Sequence, residues 1–96
     1  MWACAVRLEL RLPGAQSLKE KRAMLRPHIE RVRRMASLSV AEIDGQDLWQ
    51  RATVGVAIAA SGAAALDSLV ERLRRYFDSQ PDIELVEFSL SYLEEP

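Results

Sequence analysis

Four groups of residues in this 96-residue chain have types and spacings that could do chemistry. Glu42, Asp44 and Asp47 stand close together and could hold Mg²⁺ or share acid and base work. The plainer reading makes them turn formers at the solvated end of a hairpin. His28 is the only histidine. No Cys, Ser or carboxylate stands at a relay spacing from it, so a triad or a His-rich metal site has little to be built from. The Gly14 loop precedes a helix start, a place that attracts anions, but it has a single Gly and matches neither GxGxxG nor GxxxxGK[ST].

The other two groups bind rather than react. Lys19, Lys21, Arg22, Arg26, Arg31, Arg33 and Arg34 could give one helix a phosphate-contacting face. The alternative is a solvated helix whose charges pair with the acidic second half of the chain. Asp47, Trp49, Gln50 and Arg51 set an indole beside a guanidinium, and Trp and Arg are the commonest interface anchors. The alternative here is that Trp49 folds across Gly55 or Thr53 of its own sheet. The candidate binding set is therefore Lys19, Lys21, Arg22, Arg26, Arg33, Asp47, Trp49, Gln50 and Arg51. No residue is assigned to catalysis, and no metal or cofactor is expected.

The elements that must position these residues can be read in order. Trp2, Cys4, Val6, Leu8, Leu10 and Leu12 alternate with smaller or charged residues, the period of a strand, and Pro13-Gly14 ends it. Ser17-Leu18-Lys19-Glu20 fits a capping box, so a helix should begin at Leu18, with Glu20 reaching back to the Ser17 amide. Its apolar line runs Leu18, Leu25, Ile29, Val32 and Ala36, with Arg22 as an exception on that line. Pro27 should kink this helix rather than stop it, since the stripe continues past the ring. Ser39 to Ile43 and the run holding Val54, Val56 and Ile58 are two strands, joined through the turn residues Asp44 to Asp47. A second amphipathic helix is expected from Ala63 to Ser79. A last strand from Ile83 to Leu93 should set Val86, Phe88, Leu90 and Tyr92 against the core.

The order β-α-β-β-α-β is that of the ferredoxin-like split βαβ fold, an α+β four-stranded antiparallel sheet with two helices on one face. Residues 1–96 are expected to form one such domain, burying roughly two-thirds of the unfolded surface. The opposite face should show Ala3, Ala5, Thr53, Gly55, Ala57, Ser89 and Ser91, which is small, uncharged and flat. A homodimer using that face or the hairpin is expected. RNA-recognition domains of similar shape stack bases on sheet aromatics, and this face has none.

Composition narrows the function classes. The lone Cys4 cannot form an internal disulfide and reads as a small buried hydrophobe, which fits a reducing, cytoplasmic setting. No apolar run approaches the ~20 residues of a membrane span, and the N-terminus lacks the core of a signal peptide, so neither export nor membrane insertion is expected. Charge is lopsided: residues 1–36 hold nine Lys and Arg against three Asp and Glu, and residues 37–96 hold four against eleven. Such asymmetry serves either an outside polyanion or attraction between the two halves.

Two stretches carry a family resemblance. Pro-Gly-Ala-Gln-Ser-Leu-Lys-Glu-Lys-Arg (13–22) and Ser-Val-Ala-Glu-Ile-Asp-Gly-Gln-Asp-Leu-Trp-Gln-Arg-Ala (39–52) resemble the small bacterial YlxP-like, or DUF503, family. The resemblance implies a ferredoxin-like fold and a cytoplasmic protein. Genes of that family often lie beside translation-initiation and ribosome-maturation genes, which implies a connection to RNA or the ribosome. The family brings no catalytic residues to carry over, and Pro27 departs from its usual unbroken first helix. The expectation is a non-enzymatic module that binds RNA or a ribosomal partner. A protein-interaction module without nucleic-acid binding is the alternative, and a small enzyme on an anionic substrate at the Gly14 loop is a third.

Overall fold

Strict alternation over the first eleven residues produces β1 (Trp2–Arg11), which takes a central place in the sheet. The computed structural model describes residues 1–35 and 38–94. After β1 come α1 (Leu18–Arg34), β2 (Ser39–Asp44), β3 (Arg51–Ala60), α2 (Ala63–Asp78) and β4 (Glu84–Glu94). The four strands form one antiparallel sheet in the order β2-β3-β1-β4, a ferredoxin-like α+β fold.

One sheet face makes the core. Cys4, Val6, Leu8 and Leu10 of β1 lie beside Ile58, Val56, Val54 and Ala52 of β3, and all eight are 3% exposed or less. Leu25 and Val32 of α1, with Leu66, Val70, Leu73 and Phe77 of α2, pack against them. Each such large apolar side chain contributes about 1.5–3 kcal/mol on burial. Cys4 belongs to this layer, and burial pushes its thiol above the ordinary range, partly offset by the Ser91 backbone. That holds it as a neutral thiol rather than a nucleophile.

Ser17 caps α1 as its spacing requires, accepting from the Glu20 amide at 3.1 Å. The reciprocal arm lands one residue earlier than expected, since Glu20 Oε2 accepts from the Gln16 amide at 2.8 Å. The buried line of α1 is Lys21, Leu25, His28 and Val32, rotated about one residue from the expected stripe. Arg22 is thereby carried out to solvent. Ala36, the last member of the expected stripe, lies outside the described residues. The helix runs through Pro27 without a break.

Two bulges alter which side chains face the core. The β1/β4 register shifts between Glu9 and Leu10, pairing Leu10 with Leu85 rather than with Val86. A bulge flips the residues beyond it, so Leu85 packs against the core and Val86, expected inside, is 48% exposed. The β2/β3 register shifts between Glu42 and Asp44. Glu42, opposite the buried Val54, faces the helices, while Ile43 lies over Gly55 on the open face. A Cβ added to Gly55 would stand 3.0 Å from Ile43 Cγ2, so only glycine fits comfortably beneath that side chain.

The open face is small, as expected, but it is not uncharged. Arg7, Glu9 and Arg11 alternate with the core residues of β1 and so project there. Arg7 Nε donates to Glu9 Oε1 at 3.2 Å, and Thr53 Oγ1 donates to Glu9 Oε2 at 2.9 Å.

Pro27 offers a direct test of α1. Its ring leaves the Ala23 carbonyl without an intrahelical donor, a penalty of ~3 kcal/mol against Ala, less up to about 1 kcal/mol of chain entropy restored on replacement. Pro27→Ala should raise stability by about 2 kcal/mol, read as a higher urea midpoint at unchanged slope.

Candidate binding surface at the hairpin and first helix

The β2–β3 connection begins at Gly45, whose φ of 71° lies in the left-handed region that favours glycine. The Asp44 side chain accepts from the Gly45 amide at 2.8 Å, and the Leu48 amide donates to Gly45 O at 3.0 Å. Lys21 reaches this turn from α1. It is 0% exposed, and its Nζ donates to Gly45 O at 2.7 Å and to Arg51 O at 3.0 Å, gripping both ends of the connection. Glu42 Oε2 stands 2.7 Å from the same nitrogen. That oxygen has no donor at hydrogen-bonding angles, so the contact is an ion pair by proximity.

Gln50 completes the tie. Its Nε2 donates to Pro13 O at 3.3 Å and to Ala15 O at 3.1 Å, and its own carbonyl accepts from the Leu12 amide at 2.8 Å. The stretches 13–22 and 39–52 are therefore neighbours in space, joined by Lys21, Glu42 and Gln50. Lys21, expected on a phosphate-contacting face, is removed from it by burial. Gln50, expected as a contact residue, holds the loop before α1.

What remains exposed is a stripe and a tip. Lys19, Arg22, Arg26 and Arg33 follow one another at three-, four- and seven-residue steps, which places them along one side of α1. Arg33 is engaged, donating to Glu30 Oε1 at 2.6 Å and to Val40 O at 3.4 Å. Lys19, Arg22 and Arg26 have no carboxylate within ion-pair distance among the described residues. Because Lys21 holds the start of α1 against Gly45 and Arg51, this end of the stripe and the hairpin tip share one end of the molecule. At the tip Leu48 is 49% and Trp49 55% exposed, and the Asp47 and Arg51 side chains also face solvent. Trp49 does not cap its own sheet; Ile43 occupies the place above Gly55.

The groups proposed for chemistry are engaged otherwise. Glu42 faces the core, Asp44 lies 3.9 Å from Arg7 on the open face, and Asp47 sits in the turn, so the three carboxylates do not converge. At the Gly14 loop the Gln16 and Glu20 amides are taken by the Glu20 and Ser17 side chains. A groove of about 540 Å³ does lie on the open face between Ala5, Ala41, Ile43, Gly55, Ala57 and Ser91, away from the stripe. Its lining offers no aromatic surface for a base to stack on.

His28 has no relay partner at any local spacing, and its partners come from distant segments. It is 3% exposed, with Nδ1 2.7 Å from Tyr76 Oη and Nε2 2.9 Å from Asp82 Oδ2. Arg31 Nη1 donates to Tyr76 Oη at 3.4 Å, so in the neutral ring Tyr76 donates to Nδ1 and Nε2–H donates to Asp82. The partners lie 48 and 54 positions away, beyond any local spacing. This chain ties α1 to α2 and to the loop before β4. Partial burial pulls the Asp82 carboxyl up, but the His28 hydrogen bond, its own backbone amide and the electrostatic pull of His28 and Arg31 outweigh that and hold it below the ordinary range.

Two predictions test these ties. Lys21→Met should lower stability by roughly 3–5 kcal/mol, the range for breaking a buried charged pair, in chemical denaturation followed by circular dichroism. Asp82, with a depressed folded value, contributes stability that is present above about pH 4 and lost as pH falls through that value. Asp82→Asn should therefore flatten the fall in unfolding midpoint between pH 4 and pH 2, and an unchanged acid limb would refute the role given to Asp82.

The chain has recognisable relatives. Residues 4–90 match the family described as Protein of unknown function (DUF503). The Uncharacterized protein YlxP of Bacillus subtilis (strain 168) is 40% identical over 70 residues, covering 73% of this chain and 76% of that protein. Neither description states an activity, a substrate or a partner. The ferredoxin-like sheet and a match over most of the sequence establish that the chain belongs to the DUF503 family.

Proposed function

We propose that this protein is a non-enzymatic binding module that engages RNA, in a translation or ribosome-maturation setting, through α1 and the hairpin tip. One observation carries the reading: Lys19, Arg22 and Arg26 form an exposed stripe with no ion-pair partner among the described residues, on a helix whose Lys21 is tied to the hairpin that carries the exposed Trp49. Cations in that state release counterions when they meet phosphates, and an exposed indole beside Arg51 can stack on an unpaired base. The groups able to do acid or base chemistry support the absence of a reaction, because Glu42 and His28 are committed to ties between elements.

The test is co-sedimentation with bacterial ribosomal subunits and titration of ribosomal RNA fragments across a salt series. The triple variant Lys19→Ala/Arg22→Ala/Arg26→Ala should weaken binding and reduce the salt slope by about 2–3, near one unit per lost phosphate contact. Trp49→Ala should weaken binding with little change in slope. Absence of binding at low salt would sink the RNA reading. Binding that ignores salt and the triple variant but is lost in Trp49→Ala would instead assign the tip to a protein partner.

A further inference from the structure

The two edges of the sheet are finished differently. On β2 the outward carbonyls are capped by side chains: Arg33 Nη2 donates to Val40 O at 3.4 Å, and Gln46 Nε2 donates to Glu42 O at 3.4 Å. Such blocking is how proteins protect an exposed edge. On β4 no side chain among the described residues donates to a main-chain carbonyl. β4 is also 11 residues long and contains no proline, lysine or arginine, the usual edge breakers.

The core is unfinished on that side. Cys4, Val6, Leu8 and Leu10 of β1 and Ala52, Val54, Val56 and Ile58 of β3 are 3% exposed or less, whereas Leu85, Phe88 and Leu90 of β4 are only partly buried and Tyr92 is 54% exposed. Leu93 beside it is 60% exposed.

Backbone parity shows which groups are open. The Leu12 amide donates to Gln50 O in the β1/β3 register, so even-numbered residues of β1 bond toward β3 and odd-numbered ones toward β4. Arg7 pairs with Ser89 and Ala5 with Ser91, which leaves Phe88, Leu90 and Tyr92 with their N–H and C=O groups turned outward. Their side chains lie on the helix-covered face with Val6 and Leu8.

We propose that β4 pairs antiparallel with β4 of a second copy about a two-fold axis at Leu90, giving one continuous eight-stranded sheet. The strand is complementary to itself in that register. Leu90 faces Leu90, each Phe88 faces the partner's Tyr92, Ser89 faces Ser91 and Glu87 faces Leu93. Aromatic cross-strand pairs are favourable, and no described carboxylate stands opposite another. A second copy is thus an occupant that supplies a ladder and finishes the core without opposing like charges, and an isologous contact of this kind closes at two copies. The surface differs from the open face and the hairpin, where a dimer was expected from sequence.

Sedimentation equilibrium of the full chain tests this. The wild type should give the mass of a dimer that dissociates on dilution. Tyr92→Pro removes an outward amide, and Tyr92→Lys places a charge on the edge without altering the backbone; each should weaken association roughly tenfold or more, with the helical circular dichroism retained at least in Tyr92→Lys. The register has its own readout. Opposed residues in the wide pairs lie about 4.5 Å apart at Cα, within disulfide reach, so Ser89→Cys mixed with Ser91→Cys under mild oxidation should cross-link far more than either alone. A wild type that stays monomeric at all concentrations, a dimer indifferent to Tyr92→Lys, or cross-linking with no preference for the mixture would each overturn the proposal.

Discussion

The buried ammonium of Lys21 is the contact on which the rest of this structure depends. A fully buried lysine is tolerable only when its protons are placed, and here they meet Gly45 O, Arg51 O and the Glu42 carboxylate. Those three partners define the hairpin: one opens the turn, one begins β3, and one ends the regular part of β2. Once Lys21 is held, the left-handed Gly45, the bulge after Glu42 and the position of Ile43 above Gly55 follow from the same geometry. Leu48 and Trp49 cannot then fold back on the sheet, because the space above Gly55 is filled. The exposed tip is a consequence of the buried base beneath it.

The same tie joins two stretches that are far apart in sequence. Residues 13–22 supply Lys21 and the carbonyls of Pro13 and Ala15, and residues 39–52 supply Glu42, Gly45, Gln50 and the carbonyl of Arg51. Each stretch satisfies the buried polar groups of the other. Much of the chemistry in these two stretches is therefore structural.

Local signals were legible and long-range ones were not. The Ser17 cap, the alternation in β1 and β3 and the amphipathic period of α2 are properties of residues within a turn or a few positions of each other, and they placed β1, α1, β3 and α2. What escaped depended on contacts between distant segments. A small rotation of α1 exchanged Lys21 for Arg22 on the inner face, and hydropathy gave no reason to bury a lysine whose acceptors lie 24 and 30 positions away. A bulge reversed Leu85 and Val86 because the register with β1, not the pattern within β4, decides which is inside. His28 looked isolated for the same reason.

The division of charge along the chain takes a definite form. Among the described residues, the basic groups of α1 within ion-pair distance of carboxylates in the acidic second half are Lys21 and His28, while Arg33 pairs with Glu30 on its own helix. Internal attraction thus consumes buried or locally paired groups and leaves Lys19, Arg22 and Arg26 to solvent. Position in the sheet adds a further consequence. α1 packs on the β2 side, at the edge opposite β4. In the proposed dimer both basic stripes would stand at the outer ends of the shared sheet, unobstructed by the contact that joins the copies. Two stripes of the proposed kind on one sheet would act together only on a polyanion that spans the distance between them. Under the proposed function, that geometry would favour a large folded RNA over a short single strand, because a short strand would reach one stripe at a time and gain nothing from the second.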